Sequence, residues 1–94
     1  MQRRARHIQP TDLKRKAIGA TVAEFRRAAG FSQERLSADR GFERMYLSRV
    51  ERGILSATAI RVWTIADALK VPFRELVGQM ETWAVEQASS TRSR

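Results

Sequence analysis

Apolar residues recur every three or four positions in the first third of the chain, with polar residues between them. Because this spacing places them on one face of an α-helix, the pattern predicts a helix from about Asp12 to Ala29. Thr11 suits the N-cap position, since its hydroxyl can accept a hydrogen bond from the first turn. Gly30 suits the position that follows the last turn. The buried stripe of this helix is expected to be Ile18, Val22, Phe25 and Ala29.

Two shorter helices follow, separated by a glycine turn. The first is expected to begin at Ser32, whose hydroxyl suits an N-cap, and to end at Gly41, because glycine adopts positive φ without a side-chain clash. The second is expected to cover about Arg44–Arg52 and to end at Gly53. The residues predicted to face the core are Leu36 and Ala38 in the first of these helices and Leu47 and Val50 in the second.

Two further apolar patterns predict a fourth and a fifth helix. The fourth begins near Thr58, a suitable N-cap, and ends near Lys70. The fifth begins at Pro72, which suits the first helical position, and extends to about Glu86. The sequence shows neither strand-like alternation nor an internal repeat, so it predicts an all-α fold. The expected core positions are Val62, Ile65, Ala66 and Leu69 in the fourth helix and Phe73, Leu76, Val77, Met80, Trp83 and Ala84 in the fifth.

The net charge of the chain is strongly positive. It has 18 Lys and Arg residues against 10 Asp and Glu, a formal net charge of +8, which favours a polyanionic partner. Residues 1–11 have few apolar groups and are expected to form a flexible basic arm, ahead of a helical domain at 12–87 and a polar tail at 88–94. The arm is either a solvated tail or a further contact to the polyanion, and its basic residues are Arg3, Arg4 and Arg6.

The residue types that catalysis or metal binding would need are scarce. The chain has no cysteine and a single histidine, His7 in the arm, so neither a metal site nor a Ser-His-Asp triad is expected. The 5 glycines are isolated and form no phosphate-cradling loop. No apolar run reaches the roughly 18 residues that span a bilayer, and the N-terminus lacks the apolar stretch of a signal peptide. We therefore expect a cytoplasmic protein with no enzymatic activity, cofactor or membrane contact.

Short sequence elements stand in an order and at a spacing that together are specific, although each is weak alone. They are Ile18-Gly19, Phe25-Arg26, Gly30-Phe31-Ser32-Gln33, Leu36, Gly41, Tyr46-Leu47-Ser48, Glu51-Arg52-Gly53, Ile65-Ala66, Leu69 and Val71-Pro72. This series resembles the XRE family of helix-turn-helix regulators, which includes the lambda-type repressors. The resemblance covers about residues 18–77. It implies a five-helix lambda repressor-like domain with an extended last helix, and a prokaryotic or phage protein, associated with the nucleoid, that binds double-stranded DNA through residues 32–52.

The resemblance places Arg44 at the start of the recognition helix, and Arg49 lies five residues further along the same helix. Arginine can donate two parallel hydrogen bonds to guanine, so both are expected to read bases; alternatively, one of them only neutralises a phosphate. Tyr46 either faces the groove or packs its ring at the helix edge while its hydroxyl meets a phosphate. Met45 suits contact with a thymine methyl. The expected base-reading residues are Arg44, Met45, Tyr46 and Arg49.

A second group of residues is expected to bind DNA phosphates. In proteins of this family the residue that matches Gln33 typically binds a phosphate. The position favours an anion in any case, because a helix N-terminus presents free N–H groups. Arg52, at the end of the recognition helix, is expected to meet the DNA backbone. The expected phosphate-binding residues are Gln33, Ser32, Arg52, Arg3, Arg4 and Arg6.

Arg26 and Glu51 match a pair that joins the first and third helices in lambda-type domains. Such a pair would hold the recognition helix at a fixed angle to the rest of the domain. Alternatively, the two residues are independent surface charges. In a pair that is partly buried, removal of one partner should be destabilising, because the other charge loses its counterion.

The stretch 54–60 departs from the family pattern, because it is apolar and has no proline. The fifth helix also extends past the usual end of the domain. Exposed apolar groups commonly mark a partner surface, so we expect a homodimer that binds a (pseudo)palindromic operator. Alternatively, the two tryptophans complete the core. The residues expected at the dimer interface are Ile54, Leu55, Ile60, Trp63, Met80 and Trp83.

The expected function is that of a transcription regulator, such as a repressor. The run 43–48 also resembles the small controller proteins of restriction–modification systems. An alternative is an antitoxin-type protein-interaction module, whose apolar surface would hold a protein partner and which would also bind DNA. RNA binding is disfavoured, because the sequence predicts no aromatic stacking sheet.

Overall fold

The computed structural model describes residues 9–92, and within that range the regular secondary structure is entirely α-helical. The helices are α1 (Pro10–Ala28), α2 (Gln33–Arg40), α3 (Arg44–Glu51), α4 (Ala59–Leu69) and α5 (Phe73–Arg92). The predicted all-α, five-helix fold is confirmed. The basic residues of the arm, Arg3, Arg4 and Arg6, lie outside the described residues, as does His7.

The start of α1 differs from the prediction by two residues. Gln9 is extended, with φ −65° and ψ 144°, and Pro10 occupies the first helical turn. The residue before a proline is kept out of the helical region by a steric clash, whereas proline itself suits the first position of a helix. Gln9 is therefore the N-cap, and the assignment of Thr11 as N-cap is wrong. At the other end Gly30 has the predicted role, since it follows the last turn with φ 81°. Ala29 is the C-cap and is exposed, so its assignment to the buried stripe is wrong.

The caps of α2 and α4 follow the sequence closely. The hydroxyl of Ser32 accepts a hydrogen bond from the Arg35 N–H at 3.0 Å, and Thr58 caps α4 in the same way. Gly41 ends α2 with φ 71°, in the left-handed region that favours glycine. The turn between α2 and α3 is thus short, and it fixes the position at which α3 begins.

One predicted core position of α2 is wrong. Leu36 is fully buried as expected, but Ala38 is exposed and Ser37 is buried in its place. Because α2 packs against both α3 and α4, it buries two neighbouring positions, which lie about 100° apart around the helix axis. Residue 38 is turned a further 100° or so and faces solvent.

The core lies beneath α3 and joins all five helices. Leu47 and Val50 of α3 are completely buried, and the predicted stripe of α4 is buried as well. Two clusters of buried side chains share Ile18 and Phe25 of α1 as flanking residues. Burial of this kind is the main source of stability in a domain without disulfides. The buried members are Val22, Leu36, Leu47, Ile65, Ala68 and Leu69 in the first cluster, and Val62, Ala66 and Leu76 in the second.

Helix α5 is longer than predicted. It continues to Arg92, past the expected end at Glu86, because the sequence after Gly78 contains neither glycine nor proline. The first part of α5 packs on α1 and α4, and the described fold measures 47 × 24 × 21 Å. Within residues 9–92, no helix is both long enough and apolar enough to cross a bilayer.

Candidate nucleic-acid interface

Helix α3 buries one side and presents cations on the other. Leu47 and Val50 point into the core, whereas Arg44, Met45 and Arg49 are exposed. We call these three exposed residues the cationic face of α3. The Arg44 side chain is 73% exposed and lies 3.2 Å from the Glu34 carboxylate of α2. Such an exposed ion pair is weak, so this carboxylate orients Arg44 without removing it from solvent.

A buried network fixes α3 to α1. Arg26 donates two hydrogen bonds to Glu51, from Nε to Oε2 at 2.7 Å and from Nη2 to Oε1 at 3.0 Å. The two side chains are only 10% and 4% exposed. Arg26 also donates to the Phe31 carbonyl oxygen at 2.7 Å, so one guanidinium contacts the end of α3 and the turn before α2. The geometry holds α3 at a fixed position against the domain.

Helices α1 and α3 also meet through backbone. A Cβ at Gly19 would overlap the Val50 carbonyl oxygen and come within 2.7 Å of the Glu51 carbonyl oxygen. These distances are shorter than real Cβ contacts, so only glycine fits without displacement. The absence of a side chain at residue 19 therefore allows the C-terminal end of α3 to lie directly on α1.

The N-terminus of α2 combines with this network. The Gln33 side chain donates from Nε2 to Glu51 Oε1 at 2.7 Å, which ties α2 to the same carboxylate that binds Arg26. Ser32 uses its hydroxyl oxygen as the cap of α2. Arg52, which follows α3, is exposed, and its Nε lies 3.4 Å from the Ser48 carbonyl oxygen. Gln33, Ser32 and Arg52 are thus positioned around the ends of α2 and α3.

Tyr46 does not present its polar group to solvent. Its hydroxyl is buried and finds no hydrogen-bond partner among the described residues, and its ring packs against Phe42 with centroids 5.5 Å apart. The expectation that Tyr46 reads a base does not agree with this geometry, nor does a phosphate contact by its hydroxyl, whereas packing of its ring at the helix edge does. The ring forms one flank of α3.

Arg61 is a cation beside α3 that sequence reasoning missed. Its guanidinium carbon lies 4.4 Å from the ring centroid of Tyr46 and 5.4 Å from that of Phe42. Both distances are typical of cation–π contacts. Residue 61 belongs to α4, so no spacing within α2 and α3 could have indicated this neighbour.

The residues predicted for the dimer interface divide into two groups. Met80 and Trp83 are half-buried, and Met80 packs against the second core cluster. Trp63 is 54% exposed, and one side of its ring stacks on Phe73 with centroids 4.7 Å apart. Four of the six residues are exposed apolar side chains, which we call the exposed apolar group: Ile54, Leu55, Ile60 and Trp63.

The two short helices joined by a glycine turn, with a cationic face on the second, define a helix-turn-helix DNA-binding domain. Among residues 9–92, no three His, Cys, Asp or Glu side chains are grouped so as to hold a metal ion.

Comparison with known proteins assigns the family. The family described as Helix-turn-helix matches residues 22–76, and the chain belongs to it, as an XRE-type, lambda repressor-like regulator. The chain is 43% identical over 63 residues to the uncharacterized HTH-type transcriptional regulator y4dJ of Sinorhizobium fredii, and the match covers 67% of this chain and 82% of that protein. The resemblance inferred from the sequence is confirmed, and the protein is a DNA-binding transcriptional regulator.

Solved structures share the fold. The restriction-modification controller protein C.AhdI from Aeromonas hydrophila is 35% identical, with a TM-score of 0.63 over 66% of this chain and 94% of its own. The hypothetical transcription factor NHTF from Neisseria is 28% identical, with a TM-score of 0.64 over 74% and 80% of the two chains. The clp gene regulator ClgR from Corynebacterium glutamicum has a TM-score of 0.79 over 83% of both chains. At 23% identity, ClgR shows the fold alone.

Proposed function

We propose that this protein is a sequence-specific regulator of transcription that binds a (pseudo)palindromic operator as a homodimer and has no enzymatic activity. The observation that supports this most directly is the cationic face of α3, which is exposed while the opposite face of the same helix is completely buried. A helix arranged in this way can enter the major groove as a unit.

Arg44 and Arg49 are the proposed base readers, and Met45 lies between them in the sequence. Arg44 stands at the first position of α3, where recognition helices of this architecture approach base edges. Its guanidinium pairs with an exposed carboxylate at 3.2 Å, an interaction weak enough to be exchanged for a bidentate contact to guanine.

The proposed phosphate contacts lie at the ends of α2 and α3. The first N–H groups of α2 are unused by the helix itself and favour an anion. Gln33 lies there with one side-chain N–H engaged by Glu51, which orients its amide. Arg52 adds an exposed cation after α3. Arg3, Arg4 and Arg6 belong to the same proposal as an arm that follows the DNA backbone.

The homodimer is proposed to use the exposed apolar group. Ile60 is 76% exposed and lies one turn from Trp63 on the same side of α4, so the two present a joint apolar surface. A two-fold axis would place the two copies of α3 one helical turn of DNA apart, about 34 Å. Protein concentration would then set operator occupancy through the monomer–dimer equilibrium.

Selection of bound sites from random duplex DNA tests this proposal. We expect an enriched motif with two inverted half-sites whose centres lie about 10 base pairs apart. An enriched motif without inverted symmetry would contradict the homodimer. Failure to enrich any motif, with the folded state checked by circular dichroism, would contradict sequence-specific binding.

The exposed apolar group also supports a second candidate, an antitoxin-type module that holds a protein partner. Ile54 and Leu55 are exposed in the loop between α3 and α4, where a partner could cover them. Purification of the protein from its native host distinguishes the two. A stoichiometric second protein that dissociates when Ile54 is replaced by aspartate supports the module, and a pure homodimer on operator DNA supports the regulator.

A further inference from the structure

Arg61 lies beside the start of α3, although it belongs to α4. Its guanidinium faces the rings of Tyr46, in the first turn of α3, and Phe42, in the turn before it, at 4.4 and 5.4 Å from the ring centroids. The cationic face of α3 begins at the same end, with Arg44. Arg61 therefore adds a cation to the side of α3 near its N-terminus.

The position of Arg61 is fixed at both the backbone and the side chain. Its backbone N–H donates to the Thr58 hydroxyl oxygen at 3.1 Å, which anchors the first turn of α4. The two rings that it contacts are themselves fixed, since Phe42 packs on the core and the Tyr46 hydroxyl is buried. A guanidinium held on aromatic faces has less freedom to lose when it binds an anion.

Neither the stability of α4 nor an ion pair explains an arginine at this position. The first turn of α4 has no acidic residue, and a cation there opposes the helix dipole. Arg15, Arg26 and Arg44 each pair with a carboxylate, whereas Arg61 forms no ion pair with any described side chain. Its hydrogen-bond donors thus remain available to a ligand outside the domain.

We propose that Arg61 binds a DNA phosphate on the strand that flanks α3. The inference rests on the proposed function, since it requires α3 to enter a groove. The guanidinium carbon lies over the two rings, and a guanidinium in such a position can still direct its N–H groups at phosphate oxygens in pairs. The contact is to the backbone, so it strengthens binding to every sequence alike.

The test measures binding to the DNA site enriched in the selection described above, and to a duplex of random sequence, over a range of salt concentrations. The variants are Arg61→Ala and Arg61→Lys, with Arg74→Ala as the matched removal of one exposed arginine, on α5. Arg61→Ala should weaken binding to both duplexes by the same factor and reduce the slope of log K against log salt by about 0.9, the value for one phosphate contact. Arg61→Lys should retain the slope, and Arg74→Ala should leave affinity and slope unchanged.

Variants at Tyr46 test whether the ring positions the guanidinium. Tyr46→Leu removes the ring, so it should weaken DNA binding. Adding Arg61→Ala to this variant should then lower the affinity little further. Tyr46→Phe keeps the ring and should bind both duplexes as the original protein does. Arg61→Ala should lower the unfolding midpoint only slightly, because exposed cation–π contacts are weak. Binding is therefore measured well below that midpoint, where the change in salt slope reports a DNA contact and not a loss of folded protein.

The outcomes distinguish this inference from the proposed function. If the unaltered protein prefers no sequence, the proposed function fails. If it binds its site but Arg61→Ala leaves the slope unchanged, or Arg74→Ala reduces it equally, only the assignment of Arg61 fails. A loss confined to one base pair of the site would also overturn the assignment, because it would make Arg61 a base reader.

Discussion

Glu51 of α3 accepts both of the hydrogen bonds that Arg26 of α1 directs at it, at 2.7 and 3.0 Å, in a site where neither side chain is more than 10% exposed. The carboxylate also accepts a hydrogen bond from Gln33 Nε2 at 2.7 Å. Three helices are thus joined through one acidic side chain. The contribution of this network to the free energy of unfolding can be measured by removing the charges of Arg26 and Glu51 singly and together.

Glu51→Gln should destabilise the fold by about 3–5 kcal/mol, because it leaves the Arg26 charge buried without a counterion. Urea unfolding followed by circular dichroism measures the change. The matched control is Glu24→Gln, an exposed glutamate of α1, which should cost less than about 0.5 kcal/mol.

A double variant sharpens this test. Arg26→Met with Glu51→Met should be less destabilised than either single variant, because a buried pair replaced by apolar residues leaves no unpaired charge. Additive effects of the two substitutions would show instead that the two charges act independently.

Gly19→Ala and Gly78→Ala are the same substitution, but we expect them to change the free energy of unfolding in opposite directions. A Cβ at residue 19 meets backbone oxygens of α3, while a Cβ at residue 78 meets no atom within 4 Å. We expect Gly19→Ala to cost about 2 kcal/mol or more through overpacking. Gly78→Ala should stabilise α5 by up to about 1 kcal/mol, because alanine favours helix over glycine. Thermal unfolding of the pair checks both signs, and a neutral Gly19→Ala would show that α1 and α3 separate without cost.

Arg44→Ala should weaken binding to the selected site by about 1–3 kcal/mol and relax the preference at one base pair of each half-site. Binding to random duplex should change much less. The measurement is a fluorescence anisotropy titration with a set of operator variants. Arg52→Ala is the comparison, since removal of a phosphate-binding side chain should lower the affinity for every operator variant equally. A uniform decrease for Arg44→Ala would remove Arg44 from the base readers.

Tyr46→Phe should raise stability by about 1 kcal/mol, since a buried hydroxyl without a partner is costly, and should leave DNA affinity unchanged. Chemical denaturation and the same titration measure the two quantities. A lower DNA affinity in a correctly folded Tyr46→Phe variant would show that the Tyr46 hydroxyl contacts DNA.

Ile60→Gln should weaken the homodimer without lowering the unfolding midpoint of the monomer, because this side chain is 76% exposed. Sedimentation equilibrium gives the dissociation constant, which should rise at least about tenfold if the residue is central to the interface. Val85→Gln, at an exposed apolar position on α5 outside the predicted interface, is the matched control. An unchanged dissociation constant for Ile60→Gln would place the interface elsewhere.

The sequence predicted the parts of the fold that depend on local chemistry. The caps at Ser32 and Thr58 and the turn at Gly41 follow from hydroxyls and from the absence of a side chain. The start of α1 was also within reach, because Pro10 restricts the residue before it. The burial of Ser37 was not, since it depends on α2 packing against two helices at once.

The candidate site was predictable where its residues lie on one helix. The exposure of Arg44 and Arg49 opposite Leu47 and Val50 follows from helical spacing, although their base contacts stay predictions. The proximity of Arg61 to Tyr46 depends on where α4 crosses α3, which no local pattern encodes.

The hydrogen bond from Arg26 to the Phe31 carbonyl oxygen, added to those that Arg26 makes with Glu51, joins α3 to α1 and to the turn before α2. We therefore expect α3 to have no melting transition of its own. For the C-terminal end of α3 to separate from the domain, its contacts with α1 and those with the turn after α1 would have to break together, and both segments contribute to the central core. Amide protons of α3 should therefore exchange with deuterium at the rate of global opening, so that the protein meets its target as a rigid body.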